Sequence, residues 1–384
     1  MKKILDFKEF GGKHCQTTAL RSMLSYYGLN ITEEMLFGLG GGVGFIYWYM
    51  KQMPAPLVGG RFGGRYEEFM INMCKRIGGK AHLFETGSAR KGHTELVNTL
   101  LADEPVYTYV DMAYLPYMAV PEDAHFGSHT VAVFGIDEEK NTVYIADRGA
   151  RPVTVTIDDL KKARNSKFPP FPPKNKILKV EYPTEIQDLR EGIKEAIKEC
   201  CHALMNPPIS NFGLEGIRKW AKIVPTWPKQ FTGINLYGCL LNVFIYIEIG
   251  GTGGSSFRPM YARFLREASL QGYPGLDEVA YIFEDSGKIW SEIADAALPD
   301  SWDVFKRTKA LTTQKNRIFE EQKEGALQRM LEINAELEEL MVEAVNQLQG
   351  KDLQPLLTNM QEKILELYEI ETKAVHKLNE VINK

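Results

Sequence analysis

Cys15, His129 and Asp147 are the residues whose types and order could carry nucleophilic chemistry in this chain. Cys15 sits in the run Gly11-Gly12-Lys13-His14-Cys15-Gln16-Thr17-Thr18-Ala19-Leu20. Two glycines permit a sharp turn, and Ala19, Leu20, Met23, Leu24 and Tyr27 then recur at the spacing of one helix face that ends at Gly28. The cysteine therefore falls at a predicted helix N-terminus. Unpaired N–H groups and the positive end of the helix dipole favour a thiolate there, and the thiolate is the form that attacks carbonyls. Far downstream, Ser128 to Ile136 and Thr142 to Asp147 are β-rich runs separated by the polar turn Asp137 to Asn141, which reads as a hairpin. Folding about that turn sets Ile136 near Thr142 and Val131 near Asp147. His129 is then one diagonal step from Asp147, about 7–8 Å away and within reach of a carboxylate. A cysteine early on a helix, a histidine entering a strand and a carboxylate on the next strand follow the papain-like order. The competing reading is a packed cysteine, a surface histidine and a turn aspartate beside Arg148. Cys74, Cys200, Cys201 and Cys239 read as buried packing thiols.

The elements that must position these residues alternate between helix and strand up to about residue 182. Asn30 and Glu33 have capping-box spacing before a second helix, which the glycine run Gly38 to Gly44 breaks. That run lacks the preceding strand and the Lys-Ser/Thr of a phosphate loop, so it does not read as a nucleotide site. Strands are expected at Val106 to Asp111, His129 to Ile136, Thr142 to Asp147, Val153 to Ile157 and Ile177 to Tyr182. Between the last two, Phe168 to Pro173 is a stiff proline-rich segment.

From Thr184 onward the pattern is helical, with Glu185 to Met205, Ile234 to Ile249 and Met260 to Leu270 as helices. The apolar stretch Ile234 to Ile249 contains Asn235, Asn242 and Glu248, so it reads as a buried helix rather than a membrane span. Cys200, Cys201 and His202 point about 100° apart in succession on a helix, so they do not read as a metal site. The cluster Gly250 to Phe257 before Arg258 has two readings. It is a tight connection between helices, or its N–H groups and Arg258 meet a substrate phosphate or carboxylate. In the tail, Met330, Ile333, Leu337, Leu340 and Ala344 step by three and four, as do Met360, Ile364 and Leu367. This pattern predicts a helical hairpin that packs on the second domain or pairs with a second subunit as a homo-oligomer. The resulting division is 1–183 catalytic, 184–300 helical and 301–384 tail.

A net charge of −4 over 384 residues excludes a generally basic nucleic-acid binder. Five cysteines without disulfide-framework spacing suit a reducing, cytoplasmic compartment. The N-terminus, with Asp6, Lys8 and Glu9 close behind Met1, carries no signal-peptide apolar core, and no membrane association is expected.

Several motifs together resemble the butirosin biosynthesis protein H family. They are His14-Cys15 with Ala19-Leu20 and Leu24, Glu34 to Gly42, Gly60-Arg61, His129 with Gly135, Phe257-Arg258-Pro259-Met260-Tyr261 with Phe264-Leu265 and Glu267-Ala268, and Trp290. The resemblance covers roughly residues 10 to 300. It implies an α+β architecture, with a papain-like cysteine-protease fold in the N-terminal domain and a mostly helical C-terminal domain. It also implies an acyltransferase. Cys15 would accept an acyl group as a thioester, His129 would shuttle the proton and Asp147 would orient His129. The donor would be a phosphopantetheine thioester, on an acyl carrier protein or CoA, and the acceptor a small-molecule amine or hydroxyl. No bound cofactor is expected. Arg61, Gly253, Gly254 and Arg258 would contact substrate. Papain-like enzymes place an oxyanion-hole glutamine several residues before the cysteine, whereas Glu9 occupies that region here. The oxyanion donors are therefore expected from Cys15 N–H, with His14, Lys13 or Gln16 assisting. Two other readings are a cysteine peptidase or amidase, and a binding or scaffold protein with a degenerate triad.

Overall fold

Val131-Ala132-Val133-Phe134 and Val143-Tyr144-Ile145 combine β-branched and aromatic residues, and they form the middle of an antiparallel sheet. The computed structural model describes residues 1–61, 66–186 and 188–384. Its strands are β1 (Lys2–Ile4), β2 (Ile46–Trp48), β3 (Leu57–Gly59), β4 (Lys80–Phe84), β5 (Val106–Val110), β6 (His129–Asp137), β7 (Thr142–Ala146), β8 (Val153–Thr156) and β9 (Ile177–Glu181). Seven of them make one sheet in the order β4-β9-β5-β6-β7-β8, with β1 also on β6. Every residue of β6 is buried, as expected of a central strand covered on both faces. The five strands expected from the sequence are present, each within a residue of its expected limits. Ile157 opens the helix Ile157–Asn165 instead of ending β8.

The β6–β7 hairpin uses two registers. Near the turn, Asp137 pairs with Thr142 and Ile136 with Val143, one residue away from the expected pairing. A bulge between Val133 and Gly135 then resets the ladder, so that Val133 faces Ile145 and Ala132 faces Ala146. One more pair sets Val131 against Asp147, as expected. Had the register near the turn run on unshifted, Asp147 would lie opposite Ala132, an odd number of positions from His129 and on the other face of the sheet.

The chain divides into two compact units, each assembled from separated stretches. One contains Met1–Leu36, Tyr66–Gln187 and Lys315–Asn334; the other contains Phe37–Arg65, Asp188–Gln314 and Ala335–Lys384. These differ from the linear division 1–183, 184–300 and 301–384, because tail segments contribute to both cores. The second unit includes the β2–β3 ribbon and the helices Arg190–Met205, Gly213–Ile223, Gly233–Phe244, Arg258–Leu270 and Leu276–Ala297. The first of these starts at Arg190, not Glu185, where the Asp188 carboxylate accepts the Arg190 N–H at 3.0 Å; Gln187 lies outside the described residues. Leu340, Ala344, Leu357, Met360, Ile364 and Leu367 are buried in the same core as Trp220 and Trp290. That apolar stripe is thus covered by its own chain. Among the described residues, no helix is long and apolar enough to cross a membrane.

A buried ion pair ties the tail into this unit. Glu371, in the helix Gln354–Ile382, accepts from Arg258 Nε at 2.8 Å, Arg258 Nη2 at 3.0 Å and Trp290 Nε1 at 3.2 Å, and also from the Ser286 hydroxyl. Removing one member of such a pair strands the other charge in the interior, at a cost of about 3–5 kcal/mol. Glu371→Ala should therefore lower unfolding stability by about that amount in denaturant titration, whereas Glu332→Ala, at the exposed Arg329–Glu332 pair, should leave the unfolding midpoint nearly unchanged.

Candidate active site

Helix α1 (Cys15–Tyr26) starts at the cysteine, with His14 as an extended N-cap whose side chain makes no cap bond. The capping acceptor comes from elsewhere in the chain. Glu33, the first residue of α2 (Glu33–Leu39), accepts from Lys13 N at 3.0 and 3.1 Å and from His14 N at 2.8 Å. It also accepts from the hydroxyls of Thr17 at 2.9 Å and Thr18 at 3.1 Å. This replaces the expected Asn30/Glu33 capping box: α2 is capped by Thr32, whose hydroxyl accepts from Met35 N at 3.0 Å. Gly12 makes the close approach possible, since a Cβ there would lie 2.1 Å from Thr18 Oγ1 and 3.0 Å from the Glu33 carboxylate. Glu9 instead pairs with Arg21 at 3.0 Å.

His129 and Asp147 lie on one face of the sheet, both buried, with His129 Nε2 2.8 Å from Asp147 Oδ2. Nδ1 is left as the ring nitrogen for the Cys15 thiol, which hydrogen-bonds the imidazole. Asp147 has two further donors: Tyr117 Oη at 2.9 Å to Oδ2 and the Arg148 N–H at 2.7 Å to Oδ1.

The electrostatics follow from this stacking. Burial opposes a charged imidazole, but the Asp147 carboxylate outweighs it, and the His129 pKa rises to about 10. Asp147 is also opposed by burial, yet the His129 charge and hydrogen bond and the neighbouring Arg148 hold its carboxyl below its usual value. Burial would push the Cys15 thiol up as well. The hydrogen bond and charge of His129, helped by the Thr130 hydroxyl and Arg148, bring it down to about 7. Cys74, Cys200 and Cys239 show the contrast: burial pushes their thiols up to about 12, and it pushes Cys201 up too. All five cysteines are free. The lowered thiol and the raised imidazole together favour a thiolate–imidazolium pair.

The other expected site residues fall out differently. The main-chain N–H groups of Lys13 and His14 are taken by Glu33, and the His14 ring stands edge-on to Phe69, so neither amide is left for an oxyanion. Gln16 is buried in the first turn of α1, beside Cys15. Arg61, Gly253, Gly254 and Arg258 belong to the second unit. Arg258 is completely buried, and its guanidinium donates to Glu371 and to the carbonyls of Gly60 and Ser256 at 2.8 Å and Gly44 at 3.0 Å. These contacts use all five of its donors, so the expected contact with a substrate anion has no N–H to make it. The glycine cluster is likewise turned inward: Gly254 N donates to Thr252 Oγ1 at 3.1 Å and Ser255 N to Glu248 Oε2 at 3.3 Å. Gly42, in the earlier glycine run, has a packing reason, because a Cβ there would lie 2.3 Å from the Tyr261 ring. Among the described residues, no group of three or more His, Cys, Asp or Glu could hold a metal.

Sequence reasoning missed Glu33 and Tyr117. Glu33 was legible only as a local cap, and Tyr117 stands in a short helix, Pro116–Met118, with no periodic pattern to place it.

The molecule is thus an α+β protein that carries a cysteine, histidine and aspartate in contact at the mouth of an antiparallel sheet. Residues 14–148 match the family model for butirosin biosynthesis protein H, N-terminal, and residues 158–314 match a domain of unknown function, DUF4872. With these two domains in this order, the chain belongs to the butirosin biosynthesis protein H family. No curated protein matches it.

Alkylation by iodoacetamide, followed against pH by mass spectrometry, should label Cys15 with a midpoint near pH 7, below the ordinary thiol value of about 8.5. The four buried thiols should stay unlabelled in the native protein. Preferential labelling at Cys74 or Cys239 would contradict the assignment.

Proposed function

We propose that this protein is a cysteine-dependent acyltransferase with a papain-like catalytic arrangement, in which Cys15 is the nucleophile, His129 carries the proton and Asp147 orients His129. The observation that carries this reading is the contrast among the cysteines: Cys15 alone has its thiol pKa lowered, and it faces a histidine held by a buried carboxylate. The family is named for a protein of butirosin biosynthesis, which favours a biosynthetic enzyme over a degradative one.

The donor is a phosphopantetheine thioester, on an acyl carrier protein or on CoA. Cys15 thiolate attacks the thioester carbonyl, and the bond to the pantetheine sulfur breaks. That sulfur leaves with the proton of the His129 imidazolium, and Cys15 becomes an acyl thioester. An amine or hydroxyl of a small acceptor then gives its proton to His129 and attacks the same carbonyl, and the Cys15 sulfur departs as thiolate. The N–H of Cys15, which has no intrahelical partner in the first turn, supplies the oxyanion contact, with Gln16 beside it. Five free thiols favour a reducing cytoplasmic setting.

Incubation with an acyl-pantetheine thioester should add the acyl mass to the wild type but not to Cys15→Ala, and His129→Ala should slow acylation by about 10²–10⁴-fold. Candidate amines should then yield conjugate faster than free acid. Free acid released at one rate with every acceptor would make the protein a hydrolase of the peptidase or amidase kind, and no adduct at all would make it a binding protein.

A further inference from the structure

The segment Lys315–Asn334 begins where the second family match ends, yet it belongs to the unit that contains Cys15, His129 and Asp147. It comprises the end of the helix Asp303–Glu321, a short connection and the start of the helix Ala326–Leu348. Its polar contacts converge on the residues flanking the site. Lys315 Nζ donates to the Ala119 carbonyl at 2.7 Å and to Asn334 Oδ1 at 2.6 Å, and Asn334 Nδ2 donates to that same carbonyl at 2.8 Å. Ala119 has a φ of 46°, a left-handed conformation that a residue with a Cβ adopts only when its surroundings hold it there. It directly follows the short helix that carries Tyr117, whose hydroxyl meets Asp147.

The same segment reaches the other flanks. Phe319 lies nearly parallel to the Tyr117 ring, at 13° and 6.5 Å between centroids, and the Arg148 guanidinium sits 4.9 Å above Phe319. Glu320 accepts from Lys13 Nζ at 2.6 Å through its carboxylate and from Ala150 N at 2.7 Å through its carbonyl. Arg148 Nη1 closes the circuit on the Lys13 carbonyl at 3.2 Å. One helical hairpin therefore grips the turn behind Asp147, the chain leaving Asp147 and the chain entering Cys15.

We propose that the hairpin Lys315–Asn334 is a positioning element of the catalytic cluster, acting through Tyr117 to hold the Asp147 carboxylate against His129. The proposal rests on the reading of Cys15, His129 and Asp147 as a catalytic set. A loosened Asp147 stabilises the imidazolium less, and a weaker imidazolium stabilises the Cys15 thiolate less. The hairpin's influence therefore appears in the pH dependence of Cys15 itself.

The test is the iodoacetamide profile of Cys15 in the full chain, with thermal unfolding measured alongside. Tyr117→Phe, which removes one hydroxyl, should raise the midpoint and slow labelling at pH 6.5 by about threefold, an upward shift of roughly half a unit. Asn334→Ala and the double variant Lys315→Met/Asn334→Ala should raise it in the same direction, and Lys315→Arg should keep the wild-type value. Adding Tyr117→Phe to the double variant should produce little further shift, since both act through one hydrogen bond. Hairpin variants that unfold earlier but keep the wild-type midpoint would overturn the proposal and make the segment a strut. A wild-type midpoint near 8.5 would overturn the catalytic reading, and this inference with it.

Discussion

The carboxylate of Asp147 is nearly shut off from water, and an ion in that position persists only if its surroundings replace the hydration it has lost. Here an imidazole, a phenol and a backbone amide do so. The charge so retained lets His129 remain protonated in a site where burial would otherwise strip its proton, and the charged imidazole in turn draws the Cys15 thiol toward its anion. The lowered pKa of the Cys15 thiol is in this sense the end of a chain of compensated desolvations. That chain starts at Asp147, just past β7, and ends on the first turn of α1, and the dipole of α1 is not its main source. Glu33, a carboxylate at that helix start, takes the N–H groups of Lys13 and His14 and leaves that of Cys15.

The second unit solves the same problem without producing reactivity. Arg258 and Glu371 are also buried ions, but each saturates the other and the surrounding carbonyls, so no donor remains exposed. Comparison of the two networks separates an ion pair that only joins helices from one that lowers the pKa of a thiol. In the first unit the last member is a thiol, a group that can lose its proton near neutral pH and that belongs to a half-buried residue. In the second, every member is permanently charged or fully enclosed.

Much of this was legible in the sequence because the relevant signals are local and periodic. The apolar face following Cys15 marks α1, the β-branched runs mark β6 and β7, and the polar turn between them brings His129 and Asp147 together. What was not legible depends on pairings across long separations. Tyr117 and Asp147 lie 30 residues apart, Arg258 and Glu371 113 apart, and neither pairing leaves a pattern in either neighbourhood. Arg258 after a glycine cluster looks like an anion anchor until its partner is known. Glu33 looked like a local cap because capping boxes have that spacing, whereas its oxygens cross over to the neighbouring helix start. The hairpin was a partial success of another kind: a single register was read from the turn, and the bulge at Phe134 makes the pairing correct only at the end that carries Asp147.

That bulge also says something about how such a sequence can change. Side chains on a strand obey parity, so whether His129 and Asp147 share a face is a two-valued property of the residue count between the turn and the site. The loop beyond Asp137 and Thr142 can lengthen or shorten without touching it, because whatever happens there leaves the strand pairing intact. A single-codon insertion between Phe134 and His129 would be different. It would exchange the inward and outward faces of the strand end that carries His129 relative to β7, and would disconnect histidine from aspartate while altering neither. Tolerance to insertions in this hairpin should therefore be sharply uneven, high at the tip and absent over a stretch only a few residues away.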